Sequence, residues 1–331
     1  MEKKISIVLL TFNGEKYLAQ CLDSVVGQDT GINQIEIVII DDVSSDSTLY
    51  LLEKYKERYP QNIRIIPRKV HSSKAKETNR NIGVNEASGE YILFLDQDDW
   101  YSQGTFRILL EYVTRYSDLD YIEFRYCNSD MYGRVYREEN LPGKKWETYQ
   151  ISDEEERKQY ARRGILPGAA FVWNKLYRKD FLQRYHIIHN DGDLKTGFSD
   201  NFFSGLLVLY AKRIAKLNVP LYNYRNYIGS YSHDQKKNSK VQFERCKAGI
   251  AFYDECLRRG LHEKNREMVE FIFTRTFLVK TFWKFLMNYD PIPYDILGYI
   301  QSEMLRRCPD YNYNSIMRER EEIKGLLINT A

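Results

Sequence analysis

The chain is predicted to be an α/β protein whose first hundred residues build an open, doubly wound sheet with helices on both faces. Three observations predict this. Short apolar runs rich in β-branched residues alternate with segments of helical periodicity. Neither a GxGxxG after the first strand nor a GxxxxGK[ST] anywhere marks a dehydrogenase or a P-loop NTPase. One apolar run, Gly89 to Leu95, ends abruptly in Asp96-Gln97-Asp98-Asp99. Open α/β sheets bind ligands beyond the carboxyl ends of their strands, so chemistry is expected at that acidic end.

Ile5 to Leu10 is a buried strand, and Thr11-Phe12-Asn13-Gly14 is the turn after it. Leu18, Cys21, Leu22 and Val25 recur at helical spacing and form the apolar face of a first helix. Ile35 to Ile40 is a second strand closing in Asp41-Asp42, and Ser45 or Asp46 can cap the helix carrying Leu49, Leu52 and Tyr55. Ile63 to Ile66 is a third strand, followed by a polar loop and a helix through Arg80 and Val84 that stops near Gly89. The strand into Asp96 is the fourth. This alternation implies parallel strands joined by right-handed crossovers.

Side chains alternate along a strand, so Asp96 and Asp98 fall on one face. Their hard oxygens suit Mg²⁺ or Mn²⁺, an ion that also holds substrate phosphates. The plainer alternative is a solvated acidic turn. Beyond Trp100 the pattern loosens. A strand is expected near 118–128, and 130–165 has loop character. Core-like content returns at Ala169 to Leu176, Phe181 to His186 and Phe202 to Tyr210, with a late strand from Pro220 to Arg225. A boundary near 236 separates residues 1–235, in halves 1–100 and 101–235, from a helical region 236–331.

Composition narrows the function classes. Hydrophobic content of 43% and charged content of 29% suit a soluble globular protein. Forty-nine basic against forty-six acidic residues leave a net charge of +3, which points to no nucleic-acid partner. The five cysteines show no metal or redox spacing and fit a reducing cytosol. No secretory signal or bilayer-spanning run is visible, so a cytoplasmic protein is expected.

Several segments, taken in order, resemble the inverting GT-A glycosyltransferases of family 2. They are Ser6 to Asn13, Ile40 to Thr48, Asn79-Arg80-Asn81-Ile82-Gly83, Gly89 to Asp99, Trp173 to Tyr177 and Ser199-Asp200-Asn201-Phe202-Phe203. The resemblance covers residues 4–235 and implies the GT-A fold. It implies transfer of a sugar from a nucleoside-diphosphate sugar, a UDP-sugar, to a saccharide or lipid-linked saccharide in surface polysaccharide synthesis, with Mn²⁺ or Mg²⁺. Carried over residue by residue, it places Thr11, Phe12, Asn13, Asp42, Arg80, Asp96 and Gln97 at the nucleotide. Phe12 would stack on the base and Asp42 accept from its imide. It places Asp98 and Asp96 on the metal, with His233 a weaker third ligand, and makes Asp200 the general base. Arg225 and Ser230 would close over the diphosphate. Trp173, Lys175 and Tyr177 would face the acceptor, with core packing the alternative for Trp173 and Tyr177.

Two departures stand out. Val43 occupies a position where the family usually has Gly, and a β-branched residue is disfavoured at positive φ. Ser199-Asp200 replaces the usual Glu-Asp pair, leaving one candidate base. The C-terminal run Phe271 to Met287 is apolar around too much of its circumference for one stripe. It is compatible with interfacial membrane contact, with packing on the catalytic domain and with a homodimer. The alternatives to a glycosyltransferase are a nucleotidyltransferase, for which Gly14 alone is a poor phosphate loop, and a binding module that lost its chemistry.

Overall fold

The computed structural model describes residues 4–71, 76–136, 146–151, 153, 155–157, 159–160, 171–189, 199–227, 239–274, 298–299, 302–303 and 306–308. The chain divides into two compact units, Met1–Asp153 with Ala170–Asp234, and Glu154–Ala169 with Gln235–Ala331.

Among the described residues, the first unit is built on a ten-stranded mixed sheet. Its parallel half has β1 (Ile5–Thr11) at the centre, paired with β2 (Ile35–Asp41) and β4 (Tyr91–Asp96), and β3 (Ile63–Pro67) beyond β2. β1, β2 and β4 are buried on both faces, which is why they read as continuous apolar runs, whereas β3, at the edge, buries only Ile63. Helices α1 (Leu18–Val26), α2 (Thr48–Arg58) and α3 (Lys76–Glu86) connect them. The Asp46 carboxylate accepts the Thr48 N–H at 3.0 Å at the start of α2. Helix α3 lies very close to the sheet: a Cβ on Gly83 would sit 2.2 Å from Cγ1 of Val8. Only glycine permits that approach, and it brings Arg80, one turn earlier, over the strand ends.

The second half of the sheet continues past β4. After β5 (Trp100–Tyr101) and α4 (Thr105–Arg115) come β6 (Tyr121–Ser129), β7 (Val135–Tyr136), β8 (Trp146–Gln150) and β9 (Lys175–Arg178). Then follow α5 (Lys179–Arg184), α6 (Ser199–Tyr210) and β10 (Arg213–Arg225). The order is β3-β2-β1-β4-β9-β6-β10-β5. Strand β9 is antiparallel to both β4 and β6, and β10 is parallel to β6. Two reversals restore direction, so β1, β2, β4, β6 and β10 all end at one edge.

The stretch 130–165 is therefore not all loop: β7 forms a hairpin with β6, and β8 pairs with β10. The late strand begins at Arg213 rather than Pro220. Pro220 sits between two register shifts, as expected for a residue with no N–H to give the ladder.

In the second unit, α7 (Ser239–Arg258) turns at Gly260, at φ +65, into α8 (Leu261–Ile272). The pair buries Cys246, Phe252, Cys256, Met268 and Val269. Most of the apolar run to Met287, with its membrane and dimer expectations, lies outside the described residues. Among the described residues no helix is long and apolar enough to cross a membrane.

Candidate functional site

The ends of β1 and β2 are knitted together by their own polar residues. Thr11 Oγ1 donates to Asp41 Oδ1 at 3.0 Å, and Asp41 also accepts from the Ser44 N–H and hydroxyl. Thr11 and Asp41 are thus buried scaffolding. The turn they hold passes through Val43 at φ +64, the strained conformation its sequence position demanded. Asn13, at φ +47, accepts the Ser45 N–H at 2.8 Å and gives its own N–H to Ser44 Oγ. Asn13 is therefore a loop-to-loop tie.

Phe12, freed by this bracing, is 40% exposed. Its ring lies 4.4 Å from that of His71, whose Nε2 is 3.7 Å from Asp42 Oδ2. An open aromatic face, an imidazole and a carboxylate thus share one spot. Gln97 clasps the Phe12 backbone, accepting its N–H at 2.8 Å and donating to its carbonyl at 2.9 Å. As placed, Gln97 sets the direction of Phe12.

Arg80 joins two candidates far apart in sequence. Its Nη2 donates to Asp96 Oδ1 at 3.1 Å and its Nη1 to Asp200 Oδ1 at 3.0 Å. The side chain is 7% exposed, while Asp96 and Asp200 are 33% and 27% exposed. The end of β4 and the first turn of α6, far apart in sequence, therefore lie within the span of a single guanidinium. Behind them His189 is buried, stacked on Phe203 at 4.5 Å and edge-on to Phe94, with Nδ1 3.7 Å from Asp200 Oδ1. Asn81 holds its backbone through two hydrogen bonds. Burial, and then the Arg80 charge, push the His189 imidazole well below its ordinary value.

At the third acidic position, Asp99 is buried and accepts the Tyr222 hydroxyl at 2.7 Å and the Arg225 N–H at 2.7 Å. Burial, and then Asp98 and Asp96, push its carboxyl upward. Asp98 is half-buried, and the Tyr227 hydroxyl donates to its Oδ2 at 3.3 Å.

Some expected site residues sit elsewhere. Trp173, Lys175 and Tyr177 are 3%, 2% and 0% exposed; Lys175 and Tyr177 lie on β9, between β4 and β6, and Trp173 lies just before it. Trp173 stacks on Tyr222 and Tyr224, Tyr177 donates to the Val172 carbonyl, and Lys175 Nζ donates to Phe171 O and Asn174 Oδ1. They are core and do not form an acceptor platform. Arg225 is buried with its guanidinium turned into the protein, as described below. Ser230 and His233 lie outside the described residues. His71, His189 and Tyr227 were not singled out from the sequence.

The fold has known counterparts. The chain is 27% identical over 272 residues to the putative glycosyltransferase EpsH of Bacillus subtilis, covering 81% of this chain and 74% of that one. It is 43% identical over 97 residues to a poly(ribitol-phosphate) beta-glucosyltransferase of Bacillus spizizenii, covering 29% of this chain but only 15% of that protein. The crystal structure of S. aureus TarS residues 1–349 with UDP superposes with a TM-score of 0.63 at 19% identity, covering 97% of this chain and 92% of that one. That likeness shows a shared GT-A fold. The family model described as glycosyl transferase family 2 matches residues 6–185, more than half of the chain. The chain belongs to glycosyl transferase family 2 and is a glycosyltransferase.

Proposed function

We propose that the enzyme is inverting and takes its sugar from a UDP-sugar in the presence of Mn²⁺ or Mg²⁺. Its acceptor would be a saccharide, lipid-linked saccharide or polyol-phosphate chain of a cell-surface polymer. The observation that carries this reading is Arg80 bridging Asp96 and Asp200. It sets a carboxylate at the donor strand end and a carboxylate on a separate helix at a fixed separation. A single displacement needs this arrangement, with leaving group and base on opposite sides of the reacting carbon. Two relatives support the substrate class: TarS was solved with UDP, and the Bacillus spizizenii enzyme is named for a β-linked product. Inversion of an α-linked nucleotide sugar gives that product.

In this reading Phe12 offers its face to the base, and Asp42 accepts from a ring N–H. Asp200 takes the proton of the acceptor hydroxyl as that oxygen bonds to the anomeric carbon. The bond from that carbon to the diphosphate oxygen breaks, and its electron pair leaves with the diphosphate. Arg80 keeps Asp200 aimed. Asp98 and Asp96, hard oxygen donors that reach solvent at the strand edge, fit a divalent ion and would hold it. An ion held there would supply positive charge to offset that of the departing diphosphate. Among the described residues no three His, Cys, Asp or Glu side chains gather to hold a metal by themselves. Two carboxylates at such a site suit an ion such as Mg²⁺, which is usually bound by one or two carboxylates with substrate phosphates.

The test is transfer from a panel of α-linked nucleotide sugars to oligosaccharide and polyol-phosphate acceptors, with the product's anomeric configuration read by NMR. A β product from a UDP-sugar with Mn²⁺ is expected. An α product, or turnover indifferent to chelator, contradicts the reading.

A further inference from the structure

The guanidinium of Arg225 lies at the meeting point of four segments. Its Nε donates to the Asp98 carbonyl at 2.8 Å, its Nη1 to the Met131 carbonyl at 3.0 Å, and its Nη2 to Gln20 Oε1 at 2.5 Å. The rings of Tyr17 and Trp100 flank it, with centroids 4.4 and 4.7 Å from Cζ. Its own N–H bonds Asp99, so backbone and side chain together grip the turn that carries Asp98 and Asp99. Each of the three guanidinium nitrogens has a protein acceptor, and the residue is buried. Such a group orients its neighbours; it is not presented to a diphosphate.

Two residues on, Tyr227 packs against Tyr17 at 5.4 Å and reaches Asp98 Oδ2 with its hydroxyl. Asp98 is therefore fixed twice: its carbonyl by Arg225 and its carboxylate by Tyr227. Carboxylates that ligate metals are commonly held by such outer partners, which set the direction of the ligating oxygen.

We propose that Arg225 and Tyr227, braced by Gln20 and Tyr17, are positioning residues that orient the Asp98 carboxylate toward the divalent ion and diphosphate, and that Arg225 itself does not bind the diphosphate. This rests on the reading of Asp98 as a metal-holding residue.

The test is calorimetric titration of the full chain with UDP alone and with UDP plus Mn²⁺, alongside thermal unfolding, for wild type, Asp98→Asn, Tyr227→Phe and Arg225→Lys. Tyr227→Phe removes one hydroxyl and leaves the ring packing intact. It should weaken the Mn²⁺-dependent binding on the order of tenfold to a hundredfold, leave UDP binding without metal unchanged, and barely shift the unfolding temperature. Arg225→Lys should show the same split, since a lysine keeps the charge but cannot make three divergent bonds. A direct phosphate ligand would instead weaken UDP binding equally with and without metal. That result in Arg225→Lys, or unchanged Mn²⁺-dependent binding in Tyr227→Phe, overturns the proposal. If Arg225→Lys does not fold, Tyr227→Phe decides alone. If Asp98→Asn binds UDP with Mn²⁺ as wild type does, the metal reading itself fails, and the positioning proposal with it.

Discussion

Replacing Arg80 by methionine tests the bridge between the two halves of the site. Hydrogen bonds to charged groups contribute about 1.5–3 kcal/mol each, and orphaning a fully buried ion costs about 3–5 kcal/mol. Arg80 is nearly buried, but Asp96 and Asp200 are 33% and 27% exposed. Water can reach both carboxylates once the cation is gone, and the methionine stem replaces the packing over Phe94. The expected loss is therefore roughly 2–3 kcal/mol, below the buried-pair limit. Arg80→Lys restores a charge but not the two-pronged fork, so it should recover about half of that loss. Urea denaturation read by tryptophan fluorescence gives the stability change. The transfer rate of the folded variant gives the rest, because a base misplaced by about 1 Å can lower the rate about a hundredfold. Stability unchanged within about 0.5 kcal/mol together with a full transfer rate would refute the bridge as an aiming device.

Three further outcomes follow from single positions. Val43→Gly should raise the unfolding free energy by a net ~0.5–1 kcal/mol, read as a higher urea midpoint, since relief of the left-handed strain outweighs the added backbone entropy of glycine; a lowered midpoint contradicts this. Phe12→Ala should weaken UDP binding about tenfold or more in calorimetry, whereas unchanged affinity would mean that the base does not stack there. His189 has a folded pKa depressed below the ordinary 6.5, so its contribution to stability is intact above that value and is lost as pH falls below it. Asp99, raised in the fold, acts with the opposite sign, losing stability as pH rises through its raised value, so the His189 effect is read as a difference. His189→Phe, which keeps the stack on Phe203, should flatten the stability slope between about pH 7 and 5, and an unchanged slope would show that the imidazole does not titrate on unfolding.

The parallel half of the sheet was legible because its inner strands are buried on both faces and carry long apolar signals, as in Ile35 to Ile40. The two-residue strand Trp100–Tyr101 and the hairpin strand Val135–Tyr136 carry no such period, and their pairing is set by partners far along the chain. Trp173 and Tyr177 looked like sugar-stacking aromatics, but Tyr177 lies buried on a strand between β4 and β6, and Trp173, just before that strand, is buried against Tyr222 and Tyr224. Asp96, Asp98 and Asp200 were readable as motif residues. What binds them was not: nothing local in Asn79 to Gly83 says that Arg80 joins two carboxylates, or in Tyr224 to Tyr227 that Arg225 turns inward. Those facts come from strand order, which brings the ends of β4 and β10 to one edge.

The central claim is that Asp200 is the base, and Asp200→Asn tests it most directly. Asparagine keeps an oxygen for Arg80 and a side chain of the same shape at the start of α6, so the local structure should survive. It has no basicity. UDP affinity, measured by calorimetry, should match wild type, because Asp200 touches neither base nor diphosphate in this mechanism. The transfer rate at saturating donor should fall on the order of a hundredfold or more, the usual effect of losing a general base. A near-wild-type rate would mean that Asp200 serves only the helix start and the Arg80 bridge, and would contradict the mechanism.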